Sequence, residues 1–463
     1  MRVLLVKGFF NEPGTTQMSH PLGIMSIAAV LRRDFGYDVR ISDMRLEGRD
    51  YDRLEESIRK FSPQFVGISG QSSESVSLAE IAARAKKVDP DTVVVIGGPH
   101  STAYGETLVS NPNIDYAVAG EGEIITGELI ERLTAGRDVS DLPGLRYLRD
   151  GELVDTGRAD HYGDLDCLPM PAYDLVPVFE YKQYDRFSRT GNGDYMTIFS
   201  SRACPYKCIY CHNIFGKKFR ARSAGSLFDE FEHLYSRYGI REFEIVDDVF
   251  NMRRVRVLDF CDRIIQSGMQ ISIAFPNGLR GDLLDREVLE KLQRAGTKYI
   301  SFAVETASPR MQKLIRKNLD LEKVERNISI ARSLRIHSHG FFMIGLPGET
   351  LEEMNSTVSF ILSSELHTFN LFTATPYQGT RMGEIAEEMG RSVVTDFNQD
   401  YYSKGFVNMT EVPRAEINRL RRKALIGFYA KPSRMIGILR DFPGEMGPLQ
   451  LFRIFLRRML WKT

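Results

Sequence analysis

The sequence predicts an α/β protein in three parts: a doubly wound N-terminal domain, a βα barrel and a mostly helical C-terminal region. Two observations predict it. Short runs rich in Val, Ile and Leu alternate with helical patterns in two separate stretches, the mark of parallel strands covered by helices. Between them lies a segment of prolines and turn residues that breaks regular structure. The boundaries follow as residues 1–140, a linker at 141–195, then 196–384 and 385–463.

In the first part, Arg2 to Val6 is the opening strand and Leu22 to Phe35 a helix. Asp38 to Ser42 is a strand, Tyr51 to Phe61 a helix, Phe65 to Ser69 a strand, and Ser75 to Val88 a helix. Thr92 to Ile96 and Ile114 to Ala119 are the last strands, before a helix near Ile124. Loops past the carboxyl ends of such strands are where open α/β sheets bind ligands. Here they contain His20, Ser69, Gly97-Gly98-Pro99-His100 and Gly120-Glu121-Gly122-Glu123. Their glycines let backbone approach a bulky ligand closely. None is a dinucleotide fingerprint or phosphate loop.

The linker carries Asp-Leu-Pro-Gly, Arg-Asp-Gly and Leu-Pro-Met-Pro-Ala-Tyr-Asp, with Cys167 as a lone packing thiol. Beyond it, strands fall at Met196 to Ser200, Glu242 to Val246, Ile271 to Phe275, Tyr299 to Val304, Ser338 to Ile344 and Thr368 to Thr373. Polar residues close each one, where a βα barrel does its chemistry. His337 and His339, at a strand start, read as structural. Arg414 to Tyr429 is a helix in the last part, and residues 449–461 form a basic amphipathic stretch with the chain's only tryptophan, Trp461. That stretch reads as packing on the core, with contact to a membrane surface as the competing expectation.

Composition narrows the function. The chain has 463 residues, 61 basic and 61 acidic, so it lacks the basic surface that nucleic-acid binding requires. No run of 18 apolar residues occurs, and the N-terminus reads as a strand rather than a signal peptide. Five cysteines, three of them clustered, fit a reducing cytoplasm.

Those three, Cys204, Cys208 and Cys211, are spaced C-x3-C-x2-C with Tyr210 before the last. An odd number this close is no disulfide framework, and structural zinc wants four closed ligands. Three thiolates suit a [4Fe-4S] cluster with one iron left open.

The cysteine run closely resembles that of the radical S-adenosylmethionine enzymes. The first part resembles the cobalamin-binding domain that precedes many of them, through Pro21-Leu22-Gly23, Gly67-Ile68-Ser69, Gly97 to Thr102 and Gly120 to Glu123. The resemblance implies a Rossmann-like cobalamin-binding domain followed by a partial (βα)6 barrel of the TIM type. It also implies S-adenosylmethionine on the open iron and a reductant of the flavodoxin or ferredoxin type. Tyr210 would pack near the cluster, and Asp247 or Asp248 would meet the S-adenosylmethionine ammonium. Sequence does not separate those two. Glu305, in Ala303-Val304-Glu305-Thr306, matches a family glutamate that reaches S-adenosylmethionine, though its neighbours differ; the alternative is an ion pair with a basic neighbour on the barrel rim. Arg280 lies in a substrate or cofactor loop, and Gly345 to Thr350 nearly repeats a family turn. Tyr377, in Pro376-Tyr377-Gln378-Gly379-Thr380, is the candidate acid or radical-proximal group.

One departure concerns His20. Many cobalamin proteins ligate cobalt from an Asp-x-His-x-x-Gly loop, and Met18 replaces that aspartate here. His20 is therefore expected to be solvated or near the corrin rather than on the metal. The resemblance implies methylation of an unactivated carbon on a small-molecule or lipid-like substrate. Its alternative is a cyclase-like radical reaction, since Phe428 to Ser433 resembles the tail of anaerobic magnesium-protoporphyrin ester cyclases. A cobalamin sensor or electron-transfer protein would leave the cysteine loop unexplained.

Overall fold

The computed structural model describes residues 1–10, 17–159, 161–188, 191, 193–212, 214–394 and 407–441. The chain forms two compact units, the first built mainly from Met1–Tyr184 and the second mainly from Asp185 onward.

The first unit strings together β1 (Arg2–Lys7), α1 (Leu22–Phe35), β2 (Asp38–Asp43), α2 (Tyr51–Phe61), β3 (Phe65–Ser69) and α3 (Ser75–Val88). It continues with β4 (Val93–Gly97), α4 (Gly98–Leu108), β5 (Tyr116–Val118), α5 (Gly122–Thr134), β6 (Leu145–Arg149) and β7 (Glu152–Asp155). The sheet order is β2-β1-β3-β4-β5-β6-β7. Its first five strands pair in parallel. Strand periodicity makes the sheet two-sided. Val3 and Leu5 join a core with Ile24, Ala28 and Leu129 from α1 and α5. Leu4 and Val6 join the other core, with Leu54, Ile58 and Leu78 from α2 and α3.

Two differences from the sequence reading stand out. Residues 145–155, expected as linker, form a hairpin that extends the sheet in antiparallel fashion. Its turn is Asp150-Gly151, both with positive φ (52° and 84°), the geometry that matches strand twist. And Gly98 to His100, expected in a loop, is the first turn of α4.

The second unit opens with β8 (Tyr195–Ile198), followed by β9 (Ser201–Arg202) and β10 (Arg220–Ala221). Then come α6 (Ala224–Arg237), β11 (Glu242–Ile245), α7 (Arg254–Ser267), β12 (Ser272–Leu279), α8 (Arg286–Arg294) and β13 (Thr297–Glu305). Next are α9 (Pro309–Leu314), α10 (Leu321–Ser333), β14 (His337–Ile344), α11 (Leu351–Ser363), β15 (Thr368–Thr373) and α12 (Arg381–Glu388). The last are α13 (Arg414–Tyr429) and α14 (Pro432–Asp441).

Six strands form one sheet in the order β15-β14-β13-β12-β11-β8. Every pairing is parallel, and a crossover carrying at least one helix joins each strand to the next. Hydrogen bonding does not join β15 to β8, so the sheet is open rather than a closed barrel. Its register shifts at β12–β13 and between Ala303 and Glu305 on β13. Such irregularities re-aim side chains.

His337 and His339 are buried, hydrogen-bonded to Thr368 at 3.1 and 2.7 Å and stacked on Tyr299, as structural histidines should be. Helix α14 is anchored by Arg434, whose guanidinium donates to the carbonyls of Leu362, Ser364 and Leu366. No helix among the described residues is long and apolar enough to cross a membrane. The amphipathic stretch at 449–461, with Trp461, lies outside the described residues.

Candidate active site and cofactor-binding edge

The cysteine loop leaves the carboxyl end of the second sheet and is pinched at its base by the antiparallel pair β9–β10. Ala203, directly before Cys204, has φ 68°, a left-handed turn into the loop. Cys204, Cys208 and Cys211 are free and half-buried. A backbone bond from Cys211 to the Cys208 carbonyl (3.2 Å) folds the last two together. Burial raises the Cys204 thiol pKa and pushes Cys211 up to about 11, with the neighbouring thiols adding to both shifts. A thiol of this kind is inert until a metal takes its proton. The loop is then tied down: Ile209 N–H donates to the Ile315 carbonyl (3.2 Å) and its own carbonyl accepts from Met382 (2.9 Å). Its side chain packs with Met311, Ile315, Leu346 and Met382.

The structure separates Asp247 from Asp248. Asp247 is fully buried, and its carboxylate accepts from Ser200 N–H, Ser200 Oγ and Ser201 Oγ, each at 2.6 Å. It fastens β11 to the β8–β9 turn, and Arg256 braces the same Ser200 hydroxyl at 2.7 Å. Asp248 retains an exposed edge, faces His212 Nε2 at 3.7 Å, and adds to the raised thiol pKa values of Cys204 and Cys211. Its own pKa is raised by burial, against the pull of His212.

Arg280 stands at the end of β12 with its guanidinium 3.7 Å above the ring of Tyr206, inside the cysteine loop. It pairs with Asp282 (2.9 Å) and donates to the carbonyls of Lys317 (2.9 Å) and Asn318 (3.3 Å). Glu305 ends β13 with φ 69°. Its carboxylate pairs with Lys317 Nζ at 2.8 Å, and the same ammonium donates to the Tyr210 hydroxyl at 3.2 Å. Burial, then the Glu305 charge, raise the Tyr210 phenol well above its ordinary pKa. Lys317 is the member of this site that sequence reading missed. It stands in Arg316-Lys317-Asn318, which looks like any solvated charge run.

After β14, the Gly345 to Thr350 turn is closed by Glu349, whose Oε2 accepts from the amides of Gly345 (2.6 Å) and Leu346 (3.0 Å). Burial pushes this carboxyl up to about 7. After β15, the carbonyl of Tyr377 accepts from Thr380 N–H (3.2 Å) and Oγ1 (2.7 Å), shaping the start of α12. A side chain at Gly383 would meet that carbonyl at 2.3 Å. Tyr377 thus reaches the cysteine loop through α12, whose Met382 bonds to Ile209.

At the carboxyl edge of the first sheet, backbone dominates. Gly98 (φ 87°) lies so close to Ser69 that a Cβ would fall 2.7 Å from its hydroxyl. His100 donates its amide to the Gly70 carbonyl (3.2 Å) and its ring meets Ser72 Oγ (3.2 Å). Gly120 (φ 89°) donates to Thr102 Oγ1 at 3.0 Å. A Cβ on Gly97 or Gly120 would meet nothing within 4 Å, so both border open space. Gly122 opens α5 against Ile27, 3.2 Å from where its Cβ would stand. Glu121 is buried, with Oε2 accepting from the Tyr162 amide (3.4 Å) and Oε1 3.5 Å from His161.

For His20 the structure corrects one of the two expectations: it is 2 % exposed, so it is not a solvated loop histidine, and its ring lies 4.2 Å from that of Tyr181. Burial lowers its pKa to about 3, so it is neutral. Tyr181 donates to Asp43 (2.8 Å), and Arg45 pairs with the same carboxylate at 2.6 Å and donates to the Ser19 carbonyl at 2.9 Å. The segment after the sheet therefore closes over this histidine, which sequence could not show.

These residues fit their groups. Three unpaired thiols on one anchored loop suit a cluster, and a glycine-lined edge bordering open space suits a flat macrocycle. Residues 198–361 match the family model of the radical SAM superfamily, and residues 15–130 that of the B12 binding domain. An uncharacterized methyltransferase of Pyrococcus horikoshii, PH0819, is 31% identical over 446 residues, covering 94% of both chains. The chain belongs to the radical SAM superfamily. It is one of the members that carry a B12-binding domain. The cytidylyl-2-hydroxyethylphosphonate methyltransferase of Streptomyces wedmorensis is 28% identical, over 84% of this chain and 82% of that one. Among solved structures, the radical S-adenosylmethionine methyltransferase TsrM from Kitasatospora setae shares the fold, with TM-score 0.74 at 20% identity over 94% of this chain and 90% of that one. A radical SAM enzyme with a B12-binding domain uses a [4Fe-4S] cluster, S-adenosylmethionine and cobalamin, and this chain carries both modules.

Proposed function

We propose that this radical SAM enzyme is a cobalamin-dependent methyltransferase that methylates an unactivated carbon of a small molecule. One observation carries the reading: a chain with an anchored three-cysteine loop and a B12-binding domain aligns end to end with a relative named as a methyltransferase. When bound, the reduced cluster would cleave one S-adenosylmethionine to 5′-deoxyadenosyl radical and methionine for hydrogen removal, methylcobalamin would supply the methyl group, and a second S-adenosylmethionine would re-methylate the reduced cobalamin, leaving S-adenosylhomocysteine.

The chain's own residues do the rest. Cys204, Cys208 and Cys211 give up their protons and hold the cluster, leaving one iron for S-adenosylmethionine. Asp248, with its exposed edge toward the loop, is the better-placed acceptor for the ammonium group, while Asp247 is committed to Ser200 and Ser201. Glu305 reaches the same ligand. Arg280 clamps the loop through Tyr206. Gly97, Gly98 and Gly120, with Ser69 and His100, line the cobalamin edge. His20, buried against Tyr181, would serve as a packing group rather than as a ligand to the cobalt. A flavodoxin or ferredoxin would supply the two electrons of each turnover, one to the cluster and one to the cobalamin left after methyl transfer.

Reconstituted enzyme given S-adenosylmethionine, cobalamin, reductant and candidate substrates tests the proposal. 5′-Deoxyadenosine released in step with S-adenosylhomocysteine is the expected result. Deoxyadenosine alone would replace methylation with a cyclase-like outcome.

A further inference from the structure

We propose that Lys317 is a positioning residue of the radical site, acting through Glu305; the inference rests on the assignment of the cysteine loop to cluster and S-adenosylmethionine. Lys317 is 8 % exposed, and its ammonium bridges the Glu305 carboxylate (2.8 Å) and the Tyr210 hydroxyl (3.2 Å). It therefore joins the end of β13 to the cysteine loop by one cation.

The backbone around it is strained in its service. Glu305, Arg316 and Asn318 all have left-handed φ, at 69°, 57° and 50°. Asparagine tolerates this region, whereas glutamate and arginine adopt it only where the surroundings enforce it. The two left-handed residues that flank Lys317 turn the chain so that its side chain enters the site instead of solvent.

Gln312 enforces the shape. It is buried, and its side-chain amide donates to the carbonyls of Val304 (2.9 Å) and Thr306 (2.6 Å), on either side of Glu305. Its backbone carbonyl accepts from Lys317 (3.1 Å) and Asn318 (3.2 Å), and its Oε1 from Leu319 (3.1 Å). One glutamine thus holds both partners of the pair. The same segment receives Ile209 of the cysteine loop at Ile315. It also receives Arg280, which stacks on Tyr206 of that loop. A lysine that only neutralised a buried carboxylate would need none of this convergence on the loop.

The reduced cluster's electron paramagnetic resonance spectrum, titrated with S-adenosylmethionine, reads the effect without turnover. Full-length wild type, Lys317→Met, Glu305→Gln and the double variant are reconstituted, and cluster content is measured as iron and sulfide. Lys317→Met is expected to keep its cluster and to need about tenfold more S-adenosylmethionine for half the spectral change, the loss of one charge-assisted hydrogen bond. The double variant should be no worse than Glu305→Gln, because one residue works through the other.

An unshifted Lys317→Met titration overturns the proposal. So does a double variant worse than Glu305→Gln, which would put Lys317 on the ligand itself. Should Lys317→Met fail to fold, Lys317→Arg, which keeps the charge and changes the reach, takes its place in the titration: a weakened response to S-adenosylmethionine is expected, and an unshifted one overturns the proposal. A wild-type spectrum unaffected by S-adenosylmethionine would instead defeat the assignment of the whole site.

Discussion

The two carboxyl edges are built differently. At the first sheet, the loops after β4 and β5 turn on glycines, Gly98 and Gly120, both with positive φ. At the second, positive-φ glycines such as Gly278, Gly345 and Gly379 are joined by Ala203, Glu305, Arg316 and Asn318, which carry side chains into the same strained region. A broad cofactor needs room, which the missing Cβ provides. Chemistry on a cluster needs charged groups at fixed points, and their strain costs about 1–3 kcal/mol each. Surroundings such as Gln312 must offset that cost. The lesson is that a glycine motif and a strained polar residue can mark two kinds of site in one chain.

The largest effect expected is at the cysteines. Replacing Cys204, Cys208 or Cys211 with alanine should abolish the cluster's broad visible absorption and 5′-deoxyadenosine release, while cobalamin retention by the first unit persists. Retained absorption would break the comparison, because the second edge would then not be a cluster site.

Charge burial provides the next test. Glu349 has a folded pKa of about 7 against 4.5 unfolded, so the native state holds more protons between those values. Its stability contribution is present below the unfolded value and lost as pH rises through 7. Glu349→Gln should therefore gain about 2 kcal/mol over wild type on going from pH 5 to pH 8, read from urea midpoints. A constant difference would remove the Glu349 assignment.

His20 runs the other way. Its pKa is about 3 folded against 6.5 unfolded, so the unfolded chain binds the extra proton and stability falls as pH drops below 6.5. His20→Phe, which keeps a ring against Tyr181, should gain about 2 kcal/mol over wild type between pH 7 and pH 5. The cobalt spectrum of His20→Ala should match wild type. A changed spectrum would restore His20 as a metal ligand.

The smallest effect sharpens the glycine side. Gly98→Ala should cost about 1 kcal/mol of stability, since its φ is 87° and its Cβ crowds Ser69. Gly97 has φ −139° and open space, so Gly97→Ala should cost almost none. Weaker cobalamin retention in Gly97→Ala would then report contact with the cofactor itself. Equal retention would move the binding edge elsewhere.

Much of this was legible in order along the chain. The helices Leu22–Phe35, Tyr51–Phe61, Ser75–Val88 and Arg414–Tyr429 and the strands Phe65–Ser69 and Thr368–Thr373 fall where apolar patterning put them. Periodic burial is a local property, repeated every 2 or 3.6 residues, so it survives without knowledge of neighbours. The Asp150-Gly151 turn was visible too, but a turn signal does not say whether its flanks will find a sheet edge. The pairing of β6 with β5 requires the edge strand to be in place.

The site divides along the same line. The cluster site was readable from local spacing, because three thiols within eight residues are near one another whatever the fold, while cobalamin and S-adenosylmethionine came from the resemblance of short motifs to a known family. Three features needed the folded chain: that Asp247 is committed to Ser200 and Ser201, that His20 packs against Tyr181, and that Lys317 pairs with Glu305. Those three outcomes depend on residues 47, 161 and 12 positions away. Burial and pairing at such distances are set by packing, and packing is not written in any local window of the chain.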